Sequence, residues 1–207
     1  MRWLAIIAAS LAAVTTIGSS TAAQRATPGA PRPAIEKPRV RVYQTTAGSL
    51  VQLDHAPGVI VSLDDSDLGR AVWADDAAAP SGSSPPSRRV VVVQPRRAGE
   101  AQPPPAAGSR PGDAPFTGMS FKPIFENDRV SVIRARMEVG AQEGVHTHGA
   151  DTIVVHLSGG EIEDTADGRT VVNRWTRGDV EFEGRGTSHS ARNVGGAIDV
   201  VLVALRP

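Results

Sequence analysis

The sequence predicts an all-β protein, and three observations carry that expectation. From Phe116 onward, short runs rich in Val and Ile alternate with Gly, Asp and Asn turn signals, roughly every eight to twelve residues. No stretch carries a convincing 3.6-residue apolar period. Aromatic residues make up only 4% of the chain, so the core must come from Val, Ile, Leu and Ala, which suit pleated sheet better than a large helical bundle. Many short, evenly spaced strands argue for an antiparallel sandwich, jelly roll or barrel.

Taken in order, residues 1–23 read as a secretory signal. Arg2 supplies a minimal positive start, Trp3 to Ile17 is mostly apolar, and Ser-Ser-Thr-Ala-Ala at 19–23 offers small residues for cleavage. The apolar run falls short of the roughly 20 residues that span a bilayer. The expectation is a periplasmic or secreted protein with no stable membrane span after cleavage. Residues 24–38, rich in Pro, Ala and Arg, read as a flexible lead-in. Residues 39–76 hold strand-like runs at Arg39–Tyr43, Gly58–Leu63 and Arg70–Trp73. Residues 77–115 carry nine of the sixteen prolines and read as a linker, with one apolar island at Val90–Val93 able to pair onto a sheet. Residues 116–207 form the barrel domain, with strands expected around Val130–Ile133, Thr152–Leu157, Thr170–Val172, Asp179–Phe182 and Asp199–Val203.

The 22 basic and 22 acidic side chains cancel, which argues against a nucleic-acid partner or an acidic membrane surface. The chain has no cysteine, so disulfides, thiolate metal sites and cysteine nucleophiles are excluded.

The chemistry concentrates in Gly140-Ala-Gln-Glu-Gly-Val-His146-Thr-His148. Two histidines at i and i+2 of a strand point to one face, so both imidazoles converge on one point inside a barrel. His189 follows some forty residues later, after a Gly-rich turn at 184–186. Three neutral imidazoles bind Fe(II), Zn, Mn, Ni or Cu and leave positions open for water or substrate, as catalytic metal sites do. On spacing alone, two surface histidines flanking a threonine is the plainer reading.

Residues 140–159 resemble the first cupin motif, with Gly140, His146, His148 and Gly159 in register; residues 178–193 resemble the second, through Gly178, Gly186, His189 and Asn193. The resemblance covers about residues 116–207 and implies a cupin-type antiparallel jelly-roll barrel whose metal ligands are His146, His148 and His189. It departs from the family at two places. Thr152 stands where the family's glutamate ligand usually sits, and Gly184 replaces a proline. Some cupin dioxygenases are similar in lacking that glutamate and keep iron. Thr152 is then expected to contact a bound water or the substrate. Asp151 would supply a carboxylate only if the strand shifted register by one.

His156 shares strand parity with Thr152 and should face the interior, about 13 Å along the strand. It reads either as an interior histidine satisfied by a neighbouring Ser or Asn, or as a proton carrier deep in the pocket. Glu143, Glu181 and Glu183 read as a solvated strand face or as general bases at the mouth; Trp175 is expected to pack on a sheet surface. Arg185 and Arg192 are weaker candidates for a substrate carboxylate.

Arg39-Val-Arg-Val-Tyr with His55-Ala-Pro-Gly-Val-Ile-Val-Ser-Leu echoes Arg129-Val-Ser-Val-Ile with His148-Gly-Ala-Asp-Thr-Ile-Val-Val-His-Leu, without the ligands. This suggests a degenerate half-cupin that packs on the barrel or exchanges across a dimer. The functional expectation is a metal-binding cupin of dioxygenase- or isomerase-like chemistry on a small polar organic molecule. The alternative is a non-catalytic module that binds a small ligand with or without metal. A homodimer is expected by resemblance only.

Overall fold

The computed structural model describes residues 31–79, 85–96 and 116–206. The signal segment, residues 24–30 of the lead-in and residues 80–84 and 97–115 of the linker lie outside that range. The described chain is antiparallel β-structure throughout, with two short 3₁₀ turns at Ala47–Gln52 and Asp65–Asp67.

The first sheet contains β1 (Ile35–Lys37), β2 (Val40–Thr46), β3 (Gly58–Ser62), β4 (Ala71–Ala74) and β5 (Arg89–Pro95), in the order β1-β2-β5-β3-β4. The β-rich unit is therefore wider than residues 39–76. The lead-in contributes β1, and the apolar island inside the expected linker becomes β5, central in the sheet between β2 and β3. Four consecutive valines fit that place because a central strand covered on both faces needs an unbroken apolar run.

The second sheet contains β6 (Thr117–Glu126), β7 (Val130–Thr147), β8 (Thr152–His156), β9 (Gly160–Ala166), β10 (Arg169–Trp175), β11 (Val180–Glu183), β12 (Ser188–Asn193) and β13 (Ile198–Leu205). Its order is β10-β9-β12-β7-β13-β8-β11, with β6 on β7. This sheet curls into the expected jelly-roll barrel. The long β7 borders β6, β12 and β13 and so links both ends of the barrel.

Period-two geometry divides the side chains of β8 and β13 between two apolar environments. Ile153, Val155 and Leu157, with Val201, Val203 and Leu205, turn outward onto the first sheet. Val154 and Val200 turn inward to the barrel cavity, with Leu202 packed beside them. Each unit contributes eight buried side chains to the shared core, Val40, Val42, Val59, Val61, Leu63, Ala71, Val91 and Val93 meeting Val130, Val132, Ile153, Val155, Leu157, Val201, Val203 and Leu205.

The echo between the two units is real in three dimensions. The run β2-β5-β3-β4 repeats the run β7-β13-β8-β11 in order and in antiparallel sense. Backbone bonds repeat as well. Arg96 N donates to Arg39 O (2.7 Å) as Arg206 N does to Arg129 O (2.9 Å), and Leu63 N donates to Arg89 O (3.0 Å) as Leu157 N does to Asp199 O (2.8 Å). The equivalent glycines Gly69 and Gly178 have φ of +77° and +96°, and each lies against the other unit's equivalent leucine. A Cβ on Gly69 would sit 2.5 Å from Leu157 Cδ1, and one on Gly178 would sit 3.1 Å from Leu63 Cδ1. The N-terminal unit is thus a smaller sheet that repeats part of the barrel's strand order and packs against it through reciprocal contacts. Polar contacts pin the edges: Gln44 Nε2 donates to Gly178 O (2.8 Å), Arg129 to Pro95 O (3.1 Å), and Arg39 pairs with Asp151 (3.5 Å).

Among the described residues the half-barrel has no counterpart of β9, β10 or β12, and its inner face is filled instead. Leu50 and Leu53 from the first 3₁₀ turn and its exit, with Ala77 and Ala78, cover Tyr43, Ile60, Val90 and Val92.

Leu157→Ala should cost roughly 2–5 kcal/mol in urea unfolding, the range for a large-to-small change in a tight core. Residues 116–207 expressed alone should self-associate or melt non-cooperatively, because the outer face of β7, β8 and β13 loses its cover. Sedimentation and thermal circular dichroism check this; a monomeric fragment with the melting temperature of the full chain would overturn it.

Candidate metal centre

His146 lies one residue from the end of β7, directly opposite His189 on β12. His148 follows the end of β7 and is held by the next turn: its N–H donates to Thr187 O (2.9 Å), and its carbonyl accepts from Gly186 N (2.8 Å). Gly186 has φ of +84°, so the motif glycine serves a turn that brings the chain back to His148. A bulge between His189 and Ala191 re-aims β12 beside the ligand. The motif residue Asn193 is structural: it is buried, its Nδ2 donates to carbonyls including Glu138 O and Gly196 O (both 2.9 Å), and its Oδ1 accepts from Gly195 N (3.0 Å).

The structure brings the three predicted ligands together. One ring nitrogen from each lies within 4.8 Å of the others, and His148 Nε2 stands 3.0 Å from His189 Nε2. The far sides of the rings decide what these nitrogens can do. His189 Nδ1 lies 2.8 Å from Asp164 Oδ1, His146 Nδ1 lies 2.9 Å from Gly144 O, and His148 Nδ1 faces Glu183 Oε2 at 3.5 Å. At His146 and His189 the accepting oxygen holds the proton on Nδ1 and leaves Nε2 with its lone pair. Two such lone pairs brought together repel unless a cation lies between them. The 3.0 Å between His148 Nε2 and His189 Nε2 is close enough for one ion to be held by both. The donor set fits a divalent metal ion.

Electrostatics agree. Four carboxylates, Glu143, Asp164, Glu181 and Glu183, line the cavity around the histidines. Burial, reinforced by the charges of Glu181, Glu143 and Asp164, pushes the Glu183 carboxyl up to about 8. Burial also raises Glu143, against the opposing pull of His189 and His146. Burial and the neighbouring imidazoles press His148 down to about 4, so it is a neutral donor at ordinary pH. Glu143 Oε2 lies 3.8 Å from His189 Nε2, on the side where the free nitrogens point.

Several expectations change. Glu143, Glu181 and Glu183 are not a solvated strand face: barrel closure turns them into the cavity. Trp175 does not pack on an outer surface but stacks on His156, ring centroids 4.6 Å apart and planes 14° from parallel. His156 is buried as expected, yet neither ring nitrogen meets a Ser, an Asn or any other hydrogen-bond partner among the described residues. Thr152 lines the cavity, and its hydroxyl donates to Ala150 O (3.3 Å). Asp151 turns away to accept from Arg185 N (2.9 Å) and pair with Arg39, so it offers the centre no carboxylate. Arg192 is paired outside with Glu163 (2.6 Å). Asp164 was not foreseen. Its only sequence signal is parity, since it alternates with Ile162 along β9, and Ile162 also faces the cavity.

The strand order and the converging imidazoles make residues 116–206 an antiparallel jelly-roll barrel with a three-histidine centre, as the resemblance to cupins implies. Neither a protein-family model nor a curated protein sequence matches the chain. Among solved structures the chain is similar to a cupin domain from Bordetella pertussis, at 25% identity over 48% of this chain and 98% of that chain, with a TM-score of 0.39. It is also similar to an RmlC-like cupin from Shewanella frigidimarina (22% identity, 44% and 78% of the chains, TM-score 0.36). A third is the polyketide cyclase RemF from Streptomyces resistomycificus (16% identity, 49% and 74%, TM-score 0.40). Among the described residues, no helix is long and apolar enough to cross a membrane.

Chelator-treated protein should lose stability as pH rises from 6.5 to about 8. In that window the folded state keeps a proton on Glu183 that the unfolded chain, with an ordinary carboxyl near 4.5, has released, so the slope is negative. His148 gives the opposite slope only below 6.5. Thermal melting against pH checks this, and Glu183→Gln should flatten the curve. Asp164→Asn should weaken metal binding roughly 10–100-fold without loss of fold, measured by competition with a chromogenic chelator.

Proposed function

We propose that this protein is a periplasmic or secreted metal-dependent cupin enzyme acting on a small polar organic molecule by dioxygenase- or isomerase-like chemistry. The observation that carries the reading is the convergence of the three imidazoles: each Nδ1 faces an oxygen, and one ring nitrogen of each lies within 4.8 Å of the others, beside the Glu143 carboxyl group. A divalent ion there, Fe(II), Zn, Mn, Ni or Cu, would supply Lewis acidity or, for iron, oxygen activation.

The chain's own residues supply the rest. His146, His148 and His189 hold the ion, and Asp164 and Glu183 orient two of the rings. Glu143, too far from His189 Nε2 to share its bond, is placed to take a proton from a group held at the centre and return it at Oε2. Phe116 stands edge-on to His146, ring centroids 4.9 Å apart, and gives the centre an apolar neighbour. Thr152 in place of a carboxylate ligand favours the rival reading, a binding module without turnover.

Elemental analysis of untagged wild type and His148→Ala separates these. One metal per chain in wild type, lost in the variant, is the expected result, and the element then divides oxygen chemistry from Lewis-acid chemistry. No metal in either protein after reconstitution would sink the metalloenzyme reading and leave the module.

A further inference from the structure

The cavity has a second polar locus that the metal centre does not use. We infer that His156, Trp175 and Glu181 form a recognition subsite at the cavity floor that takes a hydroxyl group of a small uncharged substrate; this rests on the three-histidine centre marking the opposite, reactive end of the same cavity.

His156 is 2% exposed, and both its ring nitrogens lack a hydrogen-bond partner among the described residues. A buried polar group left unmatched is unfavourable, so an unmatched one that lines a cavity points to a ligand. The ring cannot swing away to find a partner. It is stacked on Trp175, and its backbone is tied on both sides, His156 N donating to Asp179 O (3.0 Å) and Gly178 N to His156 O (2.8 Å). A neutral imidazole presents one N–H and one lone pair in either tautomer.

The second partner is Glu181, whose Oε2 lies 3.9 Å from His156 Nε2. That gap is too long for a hydrogen bond, and a single oxygen bridges it. A hydroxyl completes both sides at once, accepting from His156 N–H and donating to Glu181. An ether oxygen would leave Glu181 unmatched, and a carboxylate would meet Glu181 charge to charge. Charge excludes anions more broadly. Carboxyl groups and no unpaired lysine or arginine line the cavity among the described residues, since its Arg136 is engaged by Glu138 at 2.6 Å.

Between the floor and the histidines the wall is apolar, including Val154, Ile162 and Leu202. The cavity volume of about 220 Å³ exceeds the roughly 150 Å³ that accommodates benzene. The substrate class is therefore a small neutral molecule with a hydroxyl at one end, an apolar middle, and its reacting group at the other end.

The test is a saturation-transfer NMR titration of the full chain with hexan-1-ol, hexylamine and hexanoate, run metal-replete and after chelation. Hexan-1-ol should bind wild type in both states, and at least about tenfold more tightly than hexanoate. His156→Leu and Glu181→Ala should each weaken hexan-1-ol about tenfold. Glu181 is partly exposed, so Glu181→Ala carries the test if His156→Leu does not fold. Equal hexan-1-ol binding by wild type and Glu181→Ala, no binding at all, or tighter binding of hexylamine or hexanoate would overturn the subsite. Hexan-1-ol binding by a protein that takes up no metal would keep the subsite and sink the metalloenzyme reading. A metal-replete protein that ignores hexan-1-ol would do the reverse.

Discussion

Everything in this molecule depends on the second sheet being buried on both faces. A strand such as Thr152-Ile-Val-Val-His has no polar side to give to water, so a barrel made of such strands needs an external cover. The N-terminal half-barrel is that cover. It meets the outer face with valines and leucines at equivalent positions, and the match follows from ancestry-like repetition of geometry: two sheets of the same order and twist stack with aligned strands. The reciprocal seating of Gly69 on Leu157 and Gly178 on Leu63 shows how close the two copies lie. The isologous patch that two separate chains would share is here contained in one.

That cover frees the inner face for chemistry. Because Ile153, Val155 and Leu157 anchor β8 from outside, the alternate residues Thr152, Val154 and His156 can be chosen for the cavity alone. The same positions in the half-barrel are Gly58, Ile60 and Ser62, and the 3₁₀ turn fills the space before them. One copy has kept the cavity and the other has been plugged, with stability and site divided between two versions of one half-barrel.

How much of this was legible in the sequence follows from what each signal encodes. The barrel was readable because strand runs and turn residues are local, and the histidines because HxH on a strand fixes a common face. The echo between Arg39–Leu63 and Arg129–Leu157 was readable as a pattern, and the cavity-side and cover-side parities of β8 were not, since an unbroken apolar run hides its own alternation. β5 was legible only as an apolar island able to pair onto a sheet, because prolines on either side dominate the composition of the expected linker, while four valines are enough for a central strand. The carboxylates were misjudged for a related reason. Glu181 and Glu183 alternate with Val180 and Phe182 as a solvated strand would, and only closure of the sheet decides which side is the inside. Asp164 and Trp175 carry no motif, and their roles come entirely from what lies across the barrel.

The substitution of threonine at 152 gains its meaning from these neighbours. Thr152 pairs in register with Glu183 on β11, so a carboxylate still stands beside the position from which one is missing. It reaches the outer nitrogen of His148 instead of the point where the free nitrogens converge. Glu143 supplies a second carboxylate, from β7, within 3.8 Å of His189 Nε2 but outside the close group of ring nitrogens. Negative charge has thus moved one step outward from the centre. A three-imidazole donor set then adds no charge of its own to a bound cation, which keeps its full electrophilic character, while the displaced carboxylates balance it through space. The same carboxyl groups whose burial and mutual repulsion raise Glu183 make the site attractive to a cation.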